Sequence, residues 1–426
     1  MDLMFPLILW NLLFPFGAIL FGMRVLFSRR RGLLRSIASE LPERLGLIRL
    51  EKQASAASGP LWIHAASLGE VNAALPLIEG FRAAGRPLIL TSTNRAGVER
   101  ARSLGLPAAL APLDCYVAVK AFLARARPAA LILVETEFWP QTIALASAKG
   151  LPIVVVNASI SQRSFARYGL IRPLMKRLLS RLQMIAAQTP EDAERFKALG
   201  ARETIVAVVG NLKYDLKPVP KPREAAEAIK ALGWKNAPIF VAGSTHPEEE
   251  DAVLEGYLKS LERLPELRLV IAPRHVERAG SLAASLRGHA IPFRSYSGVH
   301  QRLPVAPRAL LLDARGLLPQ FYGLALASFV GGTLNELGGH NILEPAASGS
   351  PVLFGPHVFN VRAPAQALHD AQGGFEVRGA AEIAERLFHV FRHPELRERA
   401  LEAARSLSGA TRRTMQLLAG VLRESS

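Results

Sequence analysis

Glu70 follows Ala66-Ser67-Leu68-Gly69, a turn of small residues between an apolar run and a helical pattern. A carboxylate at a helix start is favoured by the helix dipole, which tends to keep it ionised and able to take a proton. The same position also suits an ordinary helix-start glutamate. Glu135-Thr136-Glu137-Phe138-Trp139-Pro140 offers two more carboxylates and a tryptophan after another apolar run. Buried charge requires partners, so two carboxylates there are expensive as mere packing and useful beside a ligand. Gly210-Asn211-Leu212-Lys213-Tyr214-Asp215 supplies Lys213, which taken alone reads as a solvated surface charge.

A second group of strings suits a phosphate. Ala242-Gly243-Ser244-Thr245-His246 is a small-residue loop able to expose backbone N–H groups to an anion. In Ala272-Pro273-Arg274-His275, Arg274 is able to pair bidentately with a phosphate or carboxylate. Gly331-Gly332-Thr333 and Gly338-Gly339-His340-Asn341-Ile342-Leu343-Glu344-Pro345 add glycines, an amide and a carboxylate suited to ribose hydroxyls. The Walker lysine is absent, and no G-x-G-x-x-G follows the first strand, which argues against a P-loop and a nicotinamide cofactor. His64, His246, His275 and His340 fall in no ligand pair such as H-E-x-x-H, so no metal is expected.

The elements that must position these residues are legible as alternation. Leu61–Ala65, Pro87–Ser92, Ala129–Val134, Pro152–Asn157, Gln183–Gln188 and Thr204–Val209 read as strands. Helical patterns such as Val71–Ala84, Gly97–Leu104 and Pro190–Leu199 lie between them. After the stiff string Lys217-Pro218-Val219-Pro220-Lys221-Pro222 a second set follows: Ile239–Ala242, Leu267–Ala272, Ala309–Leu312, Leu326–Val330 and Pro351–Phe354. Helical pattern closes the chain from Ala380 to Leu422. The expectation is two Rossmann-like, doubly wound α/β domains facing a cleft, with ligands beyond the carboxyl ends of the strands. The divisions expected are an anchor and basic flank at 1–35, a first domain at 36–215, a linker at 216–235, a second domain at 236–405, and a C-terminal helix at 406–426 packing back on the first.

Leu3–Met23 is apolar apart from Asn11, and Arg29, Arg30, Arg31 and Arg35 follow it. About 20 residues at ~1.5 Å rise span a hydrocarbon core of roughly 30 Å. Positive charge after the apolar run predicts a retained anchor with the remainder cytoplasmic, whereas a cleaved leader has the reverse order. Pro6, Pro15 and Gly17 leave both a full span and an in-plane helix open. The formal charge is +16, and a single cysteine, Cys115, excludes a disulfide within the chain. With no nucleic-acid-binding motif, that charge points to anionic lipid or an acidic substrate.

Seven strings in register resemble the bacterial 3-deoxy-D-manno-octulosonic acid (Kdo) transferases of lipopolysaccharide synthesis. They are W-I-H-A-A-S-L-G-E, V-E-T-E-F-W-P, V-N-A-S-I-S, G-N-L-K-Y-D, G-S-T-H-P-E-E-E, A-P-R-H and F-V-G-G-T-L-N-E-L-G-G-H-N-I-L-E-P-A. The resemblance implies a B-type, metal-independent, inverting glycosyltransferase without a cofactor, moving Kdo from CMP-Kdo to the lipid A precursor, lipid IVA, at the inner membrane. It matches Glu70 to the general base, and Glu135 and Lys213 to transition-state stabilisers, with Glu137 the weaker match. It assigns Pro273, Arg274, Asn341, Ile342, Leu343 and Glu344 to CMP. A further CMP segment, Met-Gly-Glu in relatives, aligns with Arg315-Gly316-Leu317, where only the glycine is kept. The rivals are another two-domain nucleotide-sugar enzyme, such as a UDP-sugar transferase or epimerase, and a non-catalytic membrane-anchored glycolipid binder.

Overall fold

The computed structural model of the protein describes residues 39–48, 59–215, 221–300 and 306–423. The expected anchor and basic flank at 1–35 lie outside these residues. Within them no helix is long and apolar enough to cross a membrane. The chain forms two compact units, one of residues up to Asp215 together with those from Gly409, the other of the residues between.

The first unit is built on seven parallel strands: β1 Leu61–His64, β2 Leu88–Ser92, β3 Ala108–Leu110, β4 Ala130–Val134, β5 Ile153–Ala158, β6 Met184–Ala187 and β7 Val206–Val208. Their order is β3-β2-β1-β4-β5-β6-β7. Helices cover both faces, so the strands are buried on both sides and read as continuous apolar runs. Alternation still sorts the side chains. Leu61, Ile63, Ile132 and Val154 enter one core, while Trp62, Leu131, Leu133 and Val155 enter the other. Burying each such side chain stabilises the fold by roughly 1.5–3 kcal/mol.

The C-terminal helix Ala410–Arg423 completes this unit, placing Ala410, Met415 and Leu418 against the core that holds Leu61 and Val71. Its start is capped by Asp215, whose Oδ1 accepts from the backbone N–H of Gly409 and Ala410 and whose Oδ2 accepts from Thr411, at 2.6–2.8 Å.

The second unit has β8 Ile239–Thr245, β9 Arg268–Pro273, β10 Phe293–Ser295, β11 Ala309–Leu311, β12 Ala327–Val330, β13 Val352–Phe354 and β14 Gly374–Glu376. All are parallel, in the order β10-β11-β9-β8-β12-β13-β14. The linker expected over 216–235 holds a helix beyond the proline string 217–222, most of which lies outside the described residues. Arg223–Ala231 is a helix, and Ala225, Ala228, Ile229, Leu232 and Trp234 are buried beside Val241 and Leu310. Apolar residues at helical spacing outweigh the prolines before them, because burying that stripe needs a helix. The long closing helical pattern is likewise divided, into Ala380–Arg392, Leu396–Leu407 and Ala410–Arg423. The breaks fall at Pro394 and Gly409, residues that cannot or need not continue a helix.

Candidate functional site

In the first sheet β1 and β4 are neighbours, yet the chain leaves β1 toward β2 on one side and β4 toward β5 on the other. A sheet that reverses in this way opens a crevice beyond the carboxyl ends of the two strands. Glu70 stands after β1 and Glu135 after β4.

Glu70 lies in the first turn of the helix Leu68–Ala83, whose N-cap is Ser67. The Ser67 Oγ accepts from the Glu70 N–H at 3.2 Å, and the carboxylate reaches back. Its Oε2 accepts from Ala66 N at 2.7 Å and its Oε1 from Ser67 Oγ at 2.9 Å. These bonds hold the side chain in one place against Ala66 and Ser67, the turn that precedes the helix. Burial pushes its pKa above the usual carboxylate range despite those donors, and the charges of Glu137 and Glu135 push the same way. The dipole expected to favour its ionised form is thus outweighed by desolvation.

Glu135 has φ +63°, a left-handed conformation uncommon for a glutamate. Its Oε1 accepts from Lys213 Nζ at 3.0 Å, which gives the lysine an ion-pair partner that the sequence alone did not identify. Asn157, also left-handed at φ +53°, stands 3.4 Å from the same carboxylate oxygen through Nδ2. Its Oδ1 accepts from Leu212 N at 2.9 Å, so one amide ties the end of β5 to the turn that carries Lys213. Gln188 and Asn211 complete the network at 2.9 Å, Gln188 donating to Asn157 O and Asn211 donating to Gln188. Asn157, Gln188 and Asn211 enter the site only through these contacts. The signal for Asn157 and Asn211 was present in V-N-A-S-I-S and G-N-L-K-Y-D, where an amide stands at or just beyond a strand's end.

Glu137 is held differently. Trp139 Nε1 donates to its Oε2 at 2.8 Å, and His64 Nε2 stands 3.9 Å away. His64 is buried, with Nδ1 on Thr91 Oγ1 at 2.9 Å. The indole of Trp62 donates to the same hydroxyl at 2.8 Å. Glu137 therefore belongs to the carboxylate group around Glu70, through a support separate from that of Glu135.

In the second unit the reversal falls between β8 and β12. The end of β8 with His246 beyond it, and the loop 331–340 after β12, are stapled together by Glu249. This buried carboxylate accepts from His246 N at 3.0 Å, Gly332 N at 2.7 Å and Leu334 N at 3.3 Å. Gly331 is required here, because a Cβ would collide with the Ser244 carbonyl and with Glu249. The result is a ring contact absent from the sequence argument. His246 Nε2 and His340 Nε2 share a hydrogen bond of 2.8 Å, with ring planes 18° apart. His275 stands edge-on to His246, ring centroids 6.4 Å apart.

The residues assigned to CMP divide by exposure. Pro273 ends β9 and is buried, while Arg274 is exposed, its backbone N–H on Thr245 O at 3.0 Å. Ile342 and Leu343 are packed into the interior, so only their backbone can face a ligand. Asn341 is exposed and caps Leu343 N with Oδ1 at 3.1 Å; Glu344 is exposed in the helix Leu343–Ala347. Arg315 is exposed and ion-paired to Glu277, Gly316 has φ +83°, and Leu317 precedes the helix Leu318–Tyr322.

Two doubly wound parallel sheets, with polar groups at the reversal of each, make a fold of the glycosyltransferase B type. The family model described as 3-Deoxy-D-manno-octulosonic-acid transferase (kdotransferase) matches residues 39–216. The 3-deoxy-D-manno-octulosonic acid transferase of Haemophilus influenzae is 33% identical over 369 residues, 84% of this chain and 86% of that protein. The one from Bordetella pertussis is 32% identical over 380 residues, 85% of this chain and 87% of its own. Among solved structures, the UDP-GlcNAc 2-epimerase from Neisseria meningitidis bound to UDP-GlcNAc aligns with TM-score 0.54 at 13% identity, over 85% of this chain and all of that one. That likeness concerns the fold alone. The chain belongs to the 3-deoxy-D-manno-octulosonic acid transferase family, and it is a glycosyltransferase.

Proposed function

We propose that the protein transfers Kdo from CMP-Kdo to the lipid A precursor lipid IVA, with inversion and without a metal, using Glu70 as general base. The observation that carries this reading is the gathering of Glu70, Glu135 and Glu137 at the reversal between β1 and β4, with Lys213 on Glu135. A raised pKa suits a base, since proton transfer is most effective when the pKa approaches the working pH. Glu70 removes the proton of the acceptor hydroxyl as that oxygen attacks. The anomeric carbon of the donor carries both a carboxylate and the leaving phosphate, so bond breaking runs ahead of attack through an oxocarbenium-like state. Glu135 and Lys213 serve that state as a fixed pair of opposite charges. On the second unit, Arg274, the end of β8 and the glycine loop after β12 hold CMP as it gains charge.

The acceptor is a phosphorylated lipid, and the helices Gln162–Leu170 and Arg172–Leu179 suit a membrane surface. Leu170 is 86% exposed and Ile171 44%, among the exposed Arg163, Arg167, Arg172 and Arg177. Apolar tips within a basic rim favour an anionic interface, where each Arg or Lys contributes about 1 kcal/mol. Arg29, Arg30 and Arg31 lie outside the described residues; in the sequence they follow the apolar run and add to the positive charge offered to the cytoplasmic side of an anionic inner membrane.

The test is mass spectrometry of the lipid after incubation with CMP-Kdo and a tetraacylated, bisphosphorylated precursor. Addition of Kdo, persisting in EDTA, is the expected result, and the anomeric configuration of the product reports inversion. Glu70→Gln leaves the Ser67 cap on the Glu70 N–H in place and loses about 10²–10⁴-fold in turnover. Turnover of a UDP-sugar with none of CMP-Kdo would overturn the reading.

A further inference from the structure

We infer that His246 and His340 form a proton-linked phosphate site, neutral and self-paired when empty and protonated when a phosphate dianion is bound. The inference rests on the reading that the second unit holds the nucleotide, and it adds the group that answers to the charge of the phosphate. Two imidazoles joined through their Nε2 atoms at 2.8 Å share a single hydrogen, one ring donating and the other accepting. The pair sits where the end of β8 and the loop after β12 meet, tied there by Glu249.

The charges around the pair decide its empty state. Glu248 favours protonation of His246, whereas His275, Arg278 and Arg274 oppose it. His340 faces Arg274, His246 and His275, all cationic when charged. Burial acts first and in the same sense, so His246 lies below the usual imidazole range and His340 falls to about 4. At neutral pH the empty pair therefore carries no charge. A phosphate dianion beside Arg274 reverses the local field. The pair then takes up a proton from solvent, and both Nε2 atoms carry hydrogen. Two donors cannot face one another, so the bond between the rings opens and both are free to donate to phosphate oxygens.

The experiment is calorimetric titration of the full chain with CMP, cytidine and inorganic phosphate at pH 7.5, in two buffers of different ionisation enthalpy. A phosphate monoester is mostly a dianion at that pH, its second pKa being about 6. CMP is expected to bind with uptake of about half a proton or more, and cytidine with none. Uptake with inorganic phosphate as well would assign the linkage to the phosphate alone. CMP affinity should also weaken as pH rises, by up to about tenfold per pH unit. His340→Gln and His246→Gln each keep a hydrogen-bonding amide but cannot titrate, and each should abolish the uptake. CMP binding without uptake in the unaltered protein, or uptake equal for cytidine, overturns the proton-linked site and leaves the nucleotide reading intact. No CMP binding at all removes both.

Discussion

Lys213 donates to Glu135 across 78 positions of sequence, Nζ to Oε1 3.0 Å, joining the turn after β7 to the end of β4. The carboxylate comes from a left-handed residue and the lysine from a turn pinned by Asn157 and Asn211. A pair this exposed contributes little to stability, about 0–1 kcal/mol. Lys213→Met should therefore leave the unfolding midpoint almost unchanged while turnover falls at least ~100-fold. Denaturant unfolding beside product formation separates the two, and a large stability loss with full activity would contradict the assignment.

The conformation of Glu135 makes a second, opposite expectation. A non-glycine residue held at positive φ costs about 1–3 kcal/mol, and glycine relieves it. Glu135→Gly should hold or raise thermal stability, since the ion pair it loses is weak, and should abolish most turnover. A destabilised but active variant would show that the backbone there is not strained for function.

Glu137 shapes the pH dependence. Burial raises the Glu70 pKa first, and the Glu137 charge raises it further. A base must be ionised, so the rate falls as pH drops through that raised value, and the acid limb lies above the ordinary glutamate range. Removing a negative neighbour lowers the pKa. Glu137→Gln, which still accepts from Trp139, should move the acid limb of kcat/KM to lower pH. An unmoved limb would separate Glu137 from Glu70. The same sign governs stability: a folded pKa above the unfolded one favours the fold at low pH, and that contribution is lost as pH rises through the folded value.

Asp215 caps the last helix with three backbone bonds. Asp215→Ala should cost about 2 kcal/mol, and Asp215→Asn less, because the amide oxygen keeps part of the cap. Hydrogen exchange over 410–423 is the readout, and protection unchanged in the alanine variant would rule out the cap as a support.

The strands legible in the sequence are those with neighbours on both sides, along with β7. The three missed strands, β3, β10 and β14, are three-residue edge strands that pair on one side only. Ala108-Ala109-Leu110, Phe293-Arg294-Ser295 and Gly374-Phe375-Glu376 need no long apolar run, since an edge strand is short and partly solvated. The helix at 223–231 was hidden by the prolines before it, although its buried residues repeat at helical spacing.

By itself the chain order determined the kind of groups that follow each strand, because a strand end and the next helix start are local matters of apolar run, small turn and cap. Glu70, Glu135 and Arg274 were legible on those grounds, whereas Lys213 read as a solvated charge until the resemblance gave it a role. What only the tertiary structure decided is which distant groups touch. Lys213 meets Glu135, and His246 meets His340 across 94 positions, because strand order brings β8 beside β12 and fastens β5 to the turn after β7. Strand order follows from packing helices on both faces of a closed core, which no spacing within one segment records.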